Sequence, residues 1–180
     1  NSYLSTLMAN VGYQTNRLEG NLSGYLNVSH ANSDDPLSWQ GSGTLQLTNG
    51  WIWDFPVFGT VSKMLNTFVP GLGNNRAKKA SAEYSITNSV IYTRDLDIRA
   101  TGMRVHFNGT VGFDQTLDAR VEAELLRDLP ALGFVVSKVF WPVTKLFVLK
   151  VTGTWNQPQT EPLYIIPNLV SKIVILPFRP

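Results

Sequence analysis

Leu117-Asp118-Ala119-Arg120-Val121-Glu122-Ala123-Glu124-Leu125 alternates apolar and charged side chains without a break. A period of two sends successive side chains to opposite faces of an extended chain. The stretch therefore predicts a half-buried strand with its leucines, alanines and valine inward. The same period continues upstream. Val105, Phe107, Val111 and Phe113 oppose Arg104, His106 and Asn108, Leu96, Ile98 and Ala100 oppose Asp95, Asp97 and Arg99, and Ala82, Tyr84 and Ile86 form a further run. Further back, Trp39, Gly41, Gly43, Leu45 and Leu47 alternate with Gln40, Ser42, Thr44, Gln46 and Thr48. Leu18, Gly20, Leu22, Gly24, Leu26 and Val28 do so with Glu19, Asn21, Ser23, Asn27 and Ser29. Ala31 to Pro36 reads as the turn that makes these last two a hairpin. Downstream, Leu149, Val151, Gly153 and Trp155 read as a final long strand closed by Asn156-Gln157-Pro158. Short connections and one charged face per strand predict an antiparallel sheet, solvated on one side and apolar on the other.

Helical spacing interrupts this pattern. Leu4, Leu7, Met8 and Val11 precede Gly12 as a short amphipathic lead-in. After the turn signal Asn49-Gly50, Pro56 opens a helix over 56–69 carrying Val57, Val61, Leu65 and Phe68 on one stripe. Gly71 to Ala80 reads as a flexible loop. Leu132, Val136, Val139, Val143 and Leu146 predict a second helix over 130–146, with Lys138 and Lys145 beside the stripe and Pro142 kinking it. In the tail, Leu169, Val170, Ile173 and Val174 repeat the spacing.

The 180 residues suit one domain, with a helical lead-in over 1–16, a sheet with inserted helices over 18–158 and an apolar tail over 159–180. The chain is 43% hydrophobic and only 16% charged, with a net charge of +2 and no block of like charge, so nucleic acid is a poor partner. No Cys is present and His30 and His106 are the only histidines, which removes thiolate chemistry and makes a metal centre or a His-based catalyst improbable. The chain opens on Asn1 rather than Met, and reads as a processed chain or a piece of a longer one. The apolar stretch Leu129 to Val151 is broken by Lys138, Lys145, Lys150, Pro130 and Pro142, and is not read as membrane-spanning.

Motifs for phosphate, serine-hydrolase, zinc or calcium chemistry are missing. The carboxylate pairs Asp95/Asp97 and Glu122/Glu124 fall on solvated strand faces, as does His106, so acid/base hydrolysis finds no desolvated pair. Arg76-Lys78-Lys79 either meets phosphate headgroups or keeps its loop soluble, the simpler reading. Trp51, Trp53 and Phe55 suggest burial beneath the following helix. The most informative feature is the sum of the apolar strand faces, which something must cover. Either the helices fill it as an ordinary core, or part stays open as a trough for acyl chains, where each buried CH₂ is worth about 0.8 kcal/mol.

The order of these signals resembles the AsmA-like C-terminal region of large bacterial envelope proteins. The likeness lies in Gly41-Ser42-Gly43-Thr44-Leu45-Gln46-Leu47-Thr48-Asn49-Gly50 followed by Phe55-Pro56-Val57-Phe58 and a helix, and in Tyr84-Ser85-Ile86-Thr87-Asn88-Ser89-Val90-Ile91-Tyr92-Thr93. It continues through Leu96 to Val105, Asn108-Gly109-Thr110-Val111, Leu117-Asp118-Ala119-Arg120-Val121 and Val151-Thr152-Gly153-Thr154-Trp155. The resemblance implies a periplasmic, non-enzymatic protein without cofactors, whose sheet curls into a trough and which serves outer-membrane biogenesis and lipid transport. It implies a membrane anchor and further sheet in parts outside these residues.

The fold expected is therefore α+β and β-rich: a curved, mostly antiparallel amphipathic sheet of about seven strands with two or three short helices on its apolar face. Lipid or acyl chains are the expected ligand, and the rest of a parent chain or envelope proteins the expected partners. Catalytic and metal-ligating residues are not expected. Groove-lining candidates are Leu22, Leu26, Leu45, Leu47, Val105, Phe107, Val111, Val121 and Val151, and Glu at Phe107 or Val121 is expected to weaken lipid retention. The alternative is a structural or interaction module with a closed core.

Overall fold

The computed structural model describes residues 2–3, 19–68, 71, 73–125 and 145–165. They form nine strands and one helix: β1 (Ser2–Tyr3), β2 (Glu19–Asn32), β3 (Asp35–Trp51), α1 (Pro56–Phe68), β4 (Ala77–Thr87), β5 (Val90–Ala100), β6 (Met103–Gly112), β7 (Thr116–Leu125), β8 (Lys145–Thr154) and β9 (Pro158–Ile165). The strands lie in one open sheet in chain order, each antiparallel to the next. The β-rich, antiparallel class is as expected.

The seven alternating runs fall in β2 to β8, but the expected count of seven is short, because β9 and the two-residue β1 also join the sheet. Pro158 and Pro162 hide β9 from a sequence reading, since proline cannot donate to a ladder and is tolerated chiefly at an edge. The sheet thus runs to Ile165, beyond the Pro158 boundary, and takes in the first residues assigned to the tail. Among the described residues α1 is the only helix, against two or three expected. Lys145 and Leu146, read as the end of a helical stripe, are strand. The rest of that stripe, the lead-in and the tail helix lie outside the described residues.

Two other boundaries differ. β3 passes through Asn49-Gly50, with Asn49 left-handed (φ 53°) inside the strand, and β4 begins at Ala77 within the expected loop. The β4–β5 connection is a two-residue turn with Asn88 and Ser89 both left-handed (φ 51° and 62°), the combination that suits the twist of a hairpin. Register shifts explain why alternation fails in places. Lys78 and Lys79 both face outward between buried Ala77 and Ala80, and Arg94 and Asp95 form an outward bulge before Leu96.

The core lies between one sheet face and α1. Val57, Val61 and Leu65 are fully buried at helical spacing, and they pack with Ile98, Met103, Val105, Val121, Phe147 and Leu149. Phe58 meets Phe107 and Trp155 edge to face at centroid distances of 6.4 and 6.3 Å, and Phe55 meets Trp155 at 5.9 Å. Such contacts add about 0.5–1.5 kcal/mol each beyond area burial.

Candidate functional site: the apolar sheet face

The register turns the strand patterns into one continuous surface. One row runs Leu22, Leu47, Ala80, Ile98, Val105, Ala123, Phe147 and Ile165 from β2 to β9. Nearer the opposite strand ends, another runs Val28, Gly41, Ile86, Ile91, Val111, Leu117, Gly153 and Pro158. Between them, Leu26 lies beside Gly43 and Tyr84, and Leu45 beside Gly24 and Ala82.

This face divides into a covered and an open part. Of the groove candidates, Leu47, Val105, Phe107, Val121 and Val151 are buried in the core, the last four at 3% exposure or less. They therefore do not line an open trough, which corrects the expectation for these five: they share one core with Trp53, Phe55, Val57, Phe58, Val61 and Leu65, and Phe58 meets Phe107 directly. Leu22 and Val111 are partly buried against the same core. Only Leu26 and Leu45 remain substantially open, each 40% exposed. Val28, on the same face, is 44% exposed, and Leu37 and Trp39 lie on β3 four and two residues before Gly41 and are also exposed. The alternation that places Leu26 and Gly41 on this face also places Val28 and Trp39 there.

Tyr84 roofs part of this open patch. A Cβ on Gly43 would collide with the Tyr84 phenol and the Tyr25 carbonyl, so the absence of a side chain there lets the ring lie across β3. Its hydroxyl donates to the Tyr25 carbonyl at 3.3 Å, and burial pushes its pKa above the ordinary phenol value. The result is a wall that is apolar in body and polar at its rim.

The other sheet face is a lattice of ion pairs. Asp97 accepts from Arg99 Nε at 2.9 Å and from Arg104 Nε, while Glu122 accepts from Lys145 Nζ at 2.6 Å and Arg120 Nε at 3.0 Å. Burial pushes the Asp97 carboxyl up, but the hydrogen bonds from Arg104 and Arg99 outweigh it and hold the group below its ordinary value. The Lys145 hydrogen bond likewise leads in holding Glu122 low. His106 sits on this face between Asp97 and Glu122 in the register. Asp95 accepts from the Glu83 amide at 2.9 Å, beside an open depression of about 390 Å³ lined by Glu83, Tyr84, Ser85, Tyr92, Arg94 and Asp95. Arg94 there donates to Tyr92 Oη at 2.8 Å and stacks on its ring. In the basic cluster, Arg76 pairs with Glu19, and Lys78 and Lys79 lie on β4.

Trp53 is buried and donates Nε1 to the Asn75 carbonyl at 2.7 Å, and Phe55 is also buried, as the reading of the aromatic group expects, while Trp51 is only partly buried against the core. Among the described residues there is no cluster of three metal-ligating side chains and no helix long and apolar enough to cross a membrane. Comparison with known proteins finds no matching family model, curated protein or solved structure.

Proposed function

We propose that this chain is a non-enzymatic lipid-binding domain of the bacterial envelope, and that acyl chains lie on the open β2–β3 part of its apolar face. The observation that carries the reading is the exposure of Leu26, Val28, Leu45 and Trp39 in continuity with the buried face. Few polar groups interrupt this surface, so acyl chains would be selected weakly and headgroups would stay at the rim. The resemblance to the AsmA-like C-terminal region supports a periplasmic, membrane-adjacent setting and a role in outer-membrane biogenesis and lipid transport, with anchoring through a larger parent chain.

The test is lipid extraction from the natively purified chain with identification by mass spectrometry, alongside a Leu26→Glu/Leu45→Glu variant. Stoichiometric phospholipid or fatty acid that disappears in the folded variant is expected. No lipid above background, or equal lipid in both proteins, would overturn the proposal.

The filling of the face by α1 favours a second reading, a closed interaction module. It would dock onto a parent chain or envelope protein through the exposed Leu163 and Tyr164 of β9. Under that reading the purified chain carries no lipid, and Leu163→Ser/Tyr164→Ser abolishes the association.

A further inference from the structure

On the charged face of the sheet, β4, β5 and β6 set Lys79, Arg99 and Arg104 side by side. The register pairs Lys79 with Arg99 and Arg99 with Arg104, so the three side chains leave the same face in one row. Adjacent strands lie about 4.8 Å apart, and like charges directly opposite one another destabilise a sheet. The nearby acids do not cancel this row. Asp97 serves two of its members, with Oδ2 accepting from Arg99 Nε and Oδ1 from Arg104 Nε, and Glu124 lies 4.0 Å from Arg104 Nη1. Lys79 is exposed and, among the described residues, has no hydrogen bond or ion pair, and the Arg99 side chain is 56% exposed.

The remaining sequence does not hold an excess of acid to balance the row: outside the described residues, Arg17, Arg127, Lys138, Lys172 and Arg179 stand against Asp128. At the opposite strand ends the balance reverses, with Asp34 and Asp35 where β2 turns into β3 and Asp114 and Asp118 where β6 turns into β7. A net charge of only +2 thus conceals a sheet that is polarised along its strands.

We infer that the row of Lys79, Arg99 and Arg104 is a contact for the phosphates of anionic phospholipid headgroups at a membrane surface. A guanidinium fork matches phosphate oxygens in pairs, and a lysine ammonium serves as a point charge. The row is straight and lies on an exposed sheet face, so it meets a plane of phosphates at several points, whereas a single free phosphate reaches one adjacent pair. The charge polarity suits the same partner, since the acidic strand ends then point away from the anionic plane. The choice of lipid among phosphate bearers rests on the lipid reading above, but the row lies on the other sheet face and makes no use of Leu26 or Leu45.

The experiment sediments the full chain with vesicles of equimolar phosphatidylcholine and phosphatidylglycerol, and with vesicles of phosphatidylcholine alone. Binding to the first and not the second is expected, weakening as salt is raised. Lys79→Gln is expected to weaken it about fivefold and Lys79→Glu about thirtyfold. Lys79→Glu is also expected to raise the urea midpoint, because the row then alternates in sign, which separates a lost contact from a lost fold. Lys150→Gln removes the same charge from the same face on β8, four strands away and beyond a Debye length, and is expected to change binding less than about twofold. Leu26→Ser/Leu45→Ser is expected to bind these vesicles as wild type does even where it carries no lipid, so failure of the acyl-chain reading and failure of this one are distinguishable.

Equal binding to both vesicle types, wild-type binding by folded Lys79→Glu, or equal losses in Lys150→Gln and Lys79→Gln would overturn the inference. So would release by inorganic phosphate at constant ionic strength, which assigns the row to free phosphate, or tighter binding to polyglutamate than to the vesicles, which assigns it to an acidic polypeptide. A loss of stability in Lys79→Gln that disappears in the Asp128→Asn background would overturn it as well, because the chain would then supply the counter-charge itself.

Discussion

At the scale of single residues, Gly43 and Asp97 show how little freedom the sheet leaves. Gly43 is held by the Tyr25 carbonyl on one side and the Tyr84 ring on the other, and backbone cannot retreat as a flexible side chain can. Gly43→Ala is expected to cost about 1–3 kcal/mol, the range for overpacking, and to lower the denaturation midpoint accordingly. Asp97 is a pH-dependent tie. Its folded pKa lies below the ordinary carboxylate value, so the unfolded chain takes up a proton first as pH falls. Its contribution is complete above about pH 5, shrinks as pH falls through the ordinary carboxylate range near about 3.9, and is lost below the folded pKa. Urea melts of wild type and Asp97→Asn are expected to differ by about 1 kcal/mol at neutral pH and to converge in acid. Equal differences at both pH values would show that the pair with Arg99 and Arg104 does not stabilise the fold.

At the scale of elements, α1 closes the core, and its sequence made it readable: Pro56 starts it and Val57, Val61 and Leu65 fall on one stripe. Leu65 is fully buried, so Leu65→Ala is expected to cost about 2–5 kcal/mol by chemical denaturation, and an effect no larger than at an exposed site would place α1 off the sheet. The strands were legible where alternation is strict, as from Leu117 to Leu125. They were less legible where two neighbours share a face, as at Lys78-Lys79 and Arg94-Asp95, because a bulge shifts the period by one residue. Leu146-Phe147-Val148-Leu149 is buried at every position, and such a run lacks the alternation that separates strand from helix. Leu146 therefore fits a helical stripe with Leu132, Val136, Val139 and Val143 as well as it fits a strand. The candidate groove was legible as a face but not in its division, since periodicity records which side a residue faces and not what α1 places above it.

At the scale of the whole molecule, the apolar face serves two physical ends, and the same substitution should have opposite consequences in its two parts. Over β6 to β8 it is core: Phe107→Glu or Val121→Glu would bury a charge among the apolar side chains of the core, and both variants are expected to fail to fold rather than to release lipid. Around Leu26 and Leu45 on β2 and β3 the face meets solvent, so Leu26→Glu/Leu45→Glu places its carboxylates where water can hydrate them. Its midpoint of unfolding is expected to remain within about 0.5 kcal/mol per substitution of wild type. A dye that reports exposed apolar surface should then bind the folded double variant less than wild type, because the lost surface is the patch itself. A double variant that unfolds would mean that β2 and β3 are covered like the rest of the face. One that folds but binds the dye unchanged would mean that the apolar surface open to ligands lies elsewhere on the sheet.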